Sequence, residues 1–154
     1  MTVKPIAMRK GIAALTFLLI CSVTLNSQDL KSLQEVFTDA EYFFLNEDYS
    51  DALPVYLELS SKLPENANIS YMIGVCYLNI TGQKNLALPY LEAAAKKISA
   101  KRREGTVTEN NAPYEALFEL GRAYLINDRF DQSKEACSKY AKTLLPDDRE
   151  NLEF

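Results

Sequence analysis

The chain has 154 residues, 47% of them hydrophobic and 25% charged, with a formal charge of −4. That length allows one domain with a real core, and that composition is globular rather than disordered. Histidine is absent, which excludes His-based zinc sites and Ser-His or Cys-His nucleophile pairs. Five glycines and no tryptophan argue weakly against an all-β fold, and nine tyrosines and seven phenylalanines supply the bulky core pieces.

The first 27 residues read as an address rather than a domain. MTVKPIAMRK is basic, GIAALTFLLICSVTL is apolar, and NSQ turns polar, the layout of a secretory signal peptide. An apolar run of about 15 residues is short for a transmembrane helix, which needs about 20. Cleavage is expected near Ser27, giving an exported mature chain that starts at Gln28 and carries no transmembrane helix. Lipidation at Cys21 is the rival reading, opposed by Ile20 before it and by the apolar residues after it. Taking out Lys4, Arg9 and Lys10 leaves 14 basic against 21 acidic residues, a charge of −7. That balance is unsuited to nucleic acid, whose binders supply cations to phosphate. Cys76 and Cys137 remain and read as small buried hydrophobes.

From Leu33 the apolar residues recur at helical spacing. Val36, Ala40 and Phe43 share one face, as do Ala52, Val55, Tyr56 and Leu59. The helices come in pairs joined by the polar turns NEDYS, NITGQKN and NDRFD. Ser50, Asn85 and Asp131 are expected to cap the second helices, with Pro54 and Pro89 marking helix starts. The segment FFLNEDYSDA at 43–52 returns as YLINDRFDQS at 124–133, a shift of 81 residues. One template fits all three pairs. A small residue lies within the first helix (Ala40, Gly74, Gly121) and an aromatic follows three residues later (Phe43, Tyr77, Tyr124). The second helix opens on Ala52, Ala87 or Ser133 and continues to Tyr56, Leu91 or Cys137. A small residue lets two backbones approach, and one such pair cannot bury its apolar faces alone, so pairs must stack.

The expected fold is therefore all-α: about three helical hairpins in a repeat solenoid over residues 28–146. The pairs fall near 33–66, 67–100 and 114–146. Gly74 and Gly121 lie 47 residues apart against 34 for Ala40 and Gly74. The surplus falls in KRREGTVTENNAP, residues 101–113, which reads as an exposed loop. Residues 147–154 read as the start of a further helix in a longer chain.

Ile73-Gly74-x-x-Tyr77 and Leu120-Gly121-x-x-Tyr124, with Ala52, Tyr56 and Pro64, resemble the tetratricopeptide repeat family. The early tryptophan of that family is replaced by Val36, Ser70 and Leu117. With the leader and the long loop, the chain is also similar to the amino-terminal region of exported OmpA-family envelope proteins. The resemblance implies that the first helix of each pair lines a concave face that holds a partner. The implied lining is Phe37, Glu41, Phe44 and Leu45; Tyr71, Val75 and Leu78; and Phe118, Arg122 and Leu125. The expected function is a non-catalytic scaffold of the periplasm or outer membrane, without cofactor, metal or nucleic acid. Its partner is a protein, a peptide or another domain of the same longer protein. Two rival expectations are a structural spacer whose apolar residues cover one another and an exported enzyme accessory with a polar cleft. Burial of Phe44, Tyr71 and Leu125 separates the spacer from the scaffold.

Overall fold

A computed structural model describes residues 27–144. Most of the leader, Cys21 and residues 147–154 lie outside the described residues. Among the described residues there are six α-helices: α1 (Ser27–Leu45), α2 (Tyr49–Lys62), α3 (Ala67–Asn79), α4 (Ala87–Ala94), α5 (Glu115–Ile126) and α6 (Phe130–Leu144). Among the described residues the only β-type pairing is an isolated bridge between Ile98 and Ala112. Each helix packs on the next in sequence, and α3 also touches α5. The described residues form an all-helical fold, built from sequence-adjacent pairs.

The turns within the first and third pairs explain the shift of 81. Glu47 and Asp128, 81 residues apart, both take positive φ, 62° and 57°. The Asp48 N–H donates to the Phe43 carbonyl at 2.9 Å, and the Arg129 N–H to the Tyr124 carbonyl at 2.9 Å. The Asn46 and Asn127 amides donate to the Tyr42 and Ala123 carbonyls at 2.7 and 2.8 Å. These are left-handed helix endings that satisfy the last free carbonyls. Because each turn closes so tightly, α2 and α6 begin at Tyr49 and Phe130, ahead of the expected caps. Ser50 and Asp131 therefore sit inside the first turns, and Asn85 lies in a 3-10 turn, Lys84–Leu86, before α4. None of the three is the cap expected of it. The side-chain cap that forms is Asn66, whose Oδ1 accepts from the Ile69 N–H at 3.0 Å.

The small residues within the first helices are buried contact points. A Cβ on Gly74 would stand 2.5 Å from Leu91 Cγ, and one on Gly121 would collide with the Cys137 sulfur. Ala40, Ala52 and Tyr56 are fully buried in one cluster with Phe37 and Leu59, while Ala87 and Leu91 share a second. The following aromatics Phe43, Tyr77 and Tyr124 are only half-buried, less enclosed than their place in the template implies. Helix α3 buries almost its whole circumference, as a helix apolar all round must when others flank it. At the far side, the Tyr124 hydroxyl donates to Glu92 at 2.9 Å, and Arg129 lies over the Tyr124 ring.

Residues 98–112 depart from the expected exposed loop. They form a compact loop whose ends meet: the Ala112 N–H donates to the Lys97 carbonyl at 2.8 Å and Ser99 to Ala112 at 3.0 Å. Val107, Glu109, Ala112 and Pro113 are buried. The segment has no periodicity because it packs through isolated apolar side chains, Val107 and Ala112, and through polar contacts to helices distant in sequence.

Candidate functional site

The faces expected to hold a partner divide into a covered part and an open part. On α1, Phe37 is fully buried, with its ring 6.1 Å from Tyr56 in an edge arrangement. On α3, Val75 and Leu78 are buried. These three are core residues and cannot line a partner surface, which corrects the expectation. Phe44 is half-buried, its ring edge-on to Tyr49 at 5.6 Å and to Tyr56 at 6.0 Å. Tyr71 is half-buried where three apolar clusters meet. Leu45 at the end of α1 is 75% exposed.

Loop 98–112 lies against the amino-terminal half of α1 and the start of α3. The Gln34 amide reads its backbone twice, donating to the Gly105 carbonyl and accepting from the Val107 N–H, each at 2.9 Å. Asn66 Nδ2 donates to the Val107 carbonyl at 3.1 Å, and Arg102 donates to Asn68 Oδ1 at 3.1 Å. The Val107 side chain, 2% exposed, enters the main core. Glu109 staples the loop from inside, accepting from the Arg103 N–H at 2.6 Å and the Asn111 N–H at 2.8 Å. Those two N–H groups hold its carboxyl below the usual range. Two turns above Gln34 on α1, Glu41 is pushed up by burial and by Glu104, with Arg102 opposing.

Among the described residues, helix α5 has no such cover. Phe118 is 43% and Leu125 54% exposed, with half-buried Arg122 between them. Positions i, i+4 and i+7 place the three on one stripe. Arg122 pairs with Glu119 at 2.6 Å. Burial raises the Glu119 carboxyl, and Arg122 pulls it partly back. Tyr71 faces this region: burial first, then Glu119 and Glu115, push its phenol up to about 12. A cavity of about 600 Å³ opens beside it, lined by Arg102, Glu104, Tyr114, Glu115 and Tyr140 among others. Phe118 meets Tyr140 at 5.6 Å between ring centres.

Among the described residues there is no group of three or more metal-ligating side chains and no helix long and apolar enough to cross a membrane. The sequence reading missed Gln34, Asn66, Asn68 and Val107. Asn66 was legible, standing between Pro64 and the apolar run of α3 as an N-cap does. Gln34 and Val107 carry no local signal, since their loop and helix partners lie 41 to 73 residues away. Comparison with protein-family models, with curated proteins and with solved structures finds no match.

Proposed function

We propose that the chain is a non-catalytic binding scaffold of the tetratricopeptide kind, three helical hairpins stacked as a solenoid. It presents the Phe118–Arg122–Leu125 stripe of α5 to a protein partner. One observation carries this reading: two large apolar side chains stay exposed on a helix whose other face is buried among Ala116, Leu120 and Gly121. Exposed apolar groups grouped on one face mark interaction surfaces more often than isolated ones do, and Arg122 between them adds a charged anchor. The basic start and apolar run of residues 1–25 support export to the cell envelope, in keeping with the resemblance to OmpA-family amino-terminal regions. A peptide partner and another domain of the same longer protein both suit the stripe.

Capture from envelope extract with the mature chain, beside a Phe118→Ala/Leu125→Ala variant, tests the reading. A partner retained by the parent and lost by the variant supports it. Equal recovery by both proteins overturns it. The burial of Phe37, Val75 and Leu78 favours a second reading for α1 and α3, a spacer that covers its own apolar surface. Equal recovery would extend that spacer reading to α5.

A further inference from the structure

We propose that the tip of loop 98–112, residues 103–108, fills in cis a peptide-binding site formed by α1, the end of α2 and the start of α3. The site reads a short segment at four points. Gln34 bonds to the carbonyl of one residue and to the N–H of the residue two places later, here Gly105 and Val107. Asn66 bonds to the carbonyl of that second residue, and the core receives its side chain. Three of these contacts go to backbone and one to an apolar side chain, a division that serves recognition of any segment with one apolar anchor.

Two features separate this tip from an ordinary structural loop. A cavity of about 370 Å³ opens beside Val107, lined by Leu30, Leu63, Pro64 and Asn66 among others. A larger aliphatic side chain would bury more apolar surface there than valine does, about fourfold in affinity per added methylene. The negative charge of Glu104 on the tip also raises the half-buried Glu41 carboxyl, with Arg102 opposing. The base of the loop is held differently. The Asn110 carbonyl accepts the first N–H of α3, from Ala67, and Ala112 bonds on both sides to Lys97 and Ser99. The tip therefore opens while the base stays, with Glu109 joining the two. The occupant in trans is a peptide with an aliphatic residue, leucine before valine, at the Val107 position.

This inference goes beyond the scaffold reading, since its site lies on α1, α2 and α3 rather than on the α5 stripe, and its test uses the isolated chain and short peptides, so the two fail separately. Labelled peptides with the sequence of residues 101–111 carry valine, leucine or aspartate at the anchor. They are titrated into the parent chain, into Val107→Asp, and into Val107→Asp with Gln34→Ala. The expected result is binding of the leucine peptide to Val107→Asp about fourfold tighter than the valine peptide. Binding to the parent is expected to be at least about tenfold weaker, because the tip competes. The aspartate peptide and the Gln34→Ala double variant are expected to show none. A folded Val107→Asp chain that takes up leucine and aspartate peptides equally would overturn the proposal. Loss of cooperative unfolding in Val107→Asp overturns it too, because the tip would then belong to the core. In the parent, the Val107 amide is expected to exchange with deuterium faster than that of Ile73 in α3; equal rates count against an opening tip.

Discussion

Phe37 and Phe118 are the same residue at the same place in two hairpins, 81 positions apart, and they end in opposite surroundings. Phe37 is fully buried, stacked edge-on against Tyr56, within a cluster that also takes in Val107. Phe118 stays 43% exposed beside Tyr140. Similar pairings follow along the helices, Glu41 with Arg122 and Phe44 with Leu125. The hairpin template does not distinguish them. Among the described residues, the difference lies in what comes to lie against each face: α1 gains a 15-residue loop and α5 gains none. A position in a helical pair thus fixes the direction of a side chain, and the rest of the chain decides whether that direction is core or surface.

The largest effect expected from breaking this comparison is on stability. Phe37→Ala is expected to cost about 3–5 kcal/mol in urea unfolding, as removal of a buried ring does. Phe118→Ala is expected to stay within about 0.5 kcal/mol of the parent, as surface changes do. Similar costs for the two would erase the contrast. Helix α3, which both faces share, comes next. Gly74→Ala forces a Cβ against Leu91 and is expected to cost about 1–3 kcal/mol, with Leu91→Ala recovering part of it. A smaller, opposite change is expected at Tyr56, whose fully buried hydroxyl has no hydrogen-bond partner. Tyr56→Phe is expected to raise stability by about 1 kcal/mol, since an unsatisfied buried polar group is a penalty.

The smallest effect sharpens the covered face alone. Burial and Glu104 raise the Glu41 carboxyl, with Arg102 opposing, so folding disfavours its charged form relative to the unfolded chain. Its contribution to stability is therefore fully present below the unfolded pKa and is lost as pH rises through the folded pKa. Glu41→Gln is expected to be slightly more stable than the parent at neutral pH. The gap should close as pH falls below the usual glutamate range. A gap independent of pH would remove Glu41 from this account. Glu109 works the other way: its lowered carboxyl stabilises the loop above the unfolded pKa, and that support is lost as pH falls through the folded value.

Much of the helical framework was legible because its signals are local. Apolar residues at spacings of three and four gave the helices, and Ala40, Gly74 and Gly121 marked where partner helices approach. Helix starts were read two residues late at Ser50 and Asp131, because a left-handed residue at Glu47 or Asp128 has no strong sequence mark when it is not glycine. The site was less legible. Helical direction put Leu45, Phe118 and Leu125 outward, but it could not foresee that Phe37, Val75 and Leu78 would be enclosed.

Periodicity and small-residue placement, written within each 34-residue neighbourhood, determined by themselves that this chain makes paired helices and where the members of each pair touch. Only the tertiary structure decided which outward face is free. That choice depends on Gln34, Asn66 and Val107 meeting across 41 to 73 residues. Contacts of that separation are made by single polar side chains to backbone, which imposes no repeating pattern on the sequence.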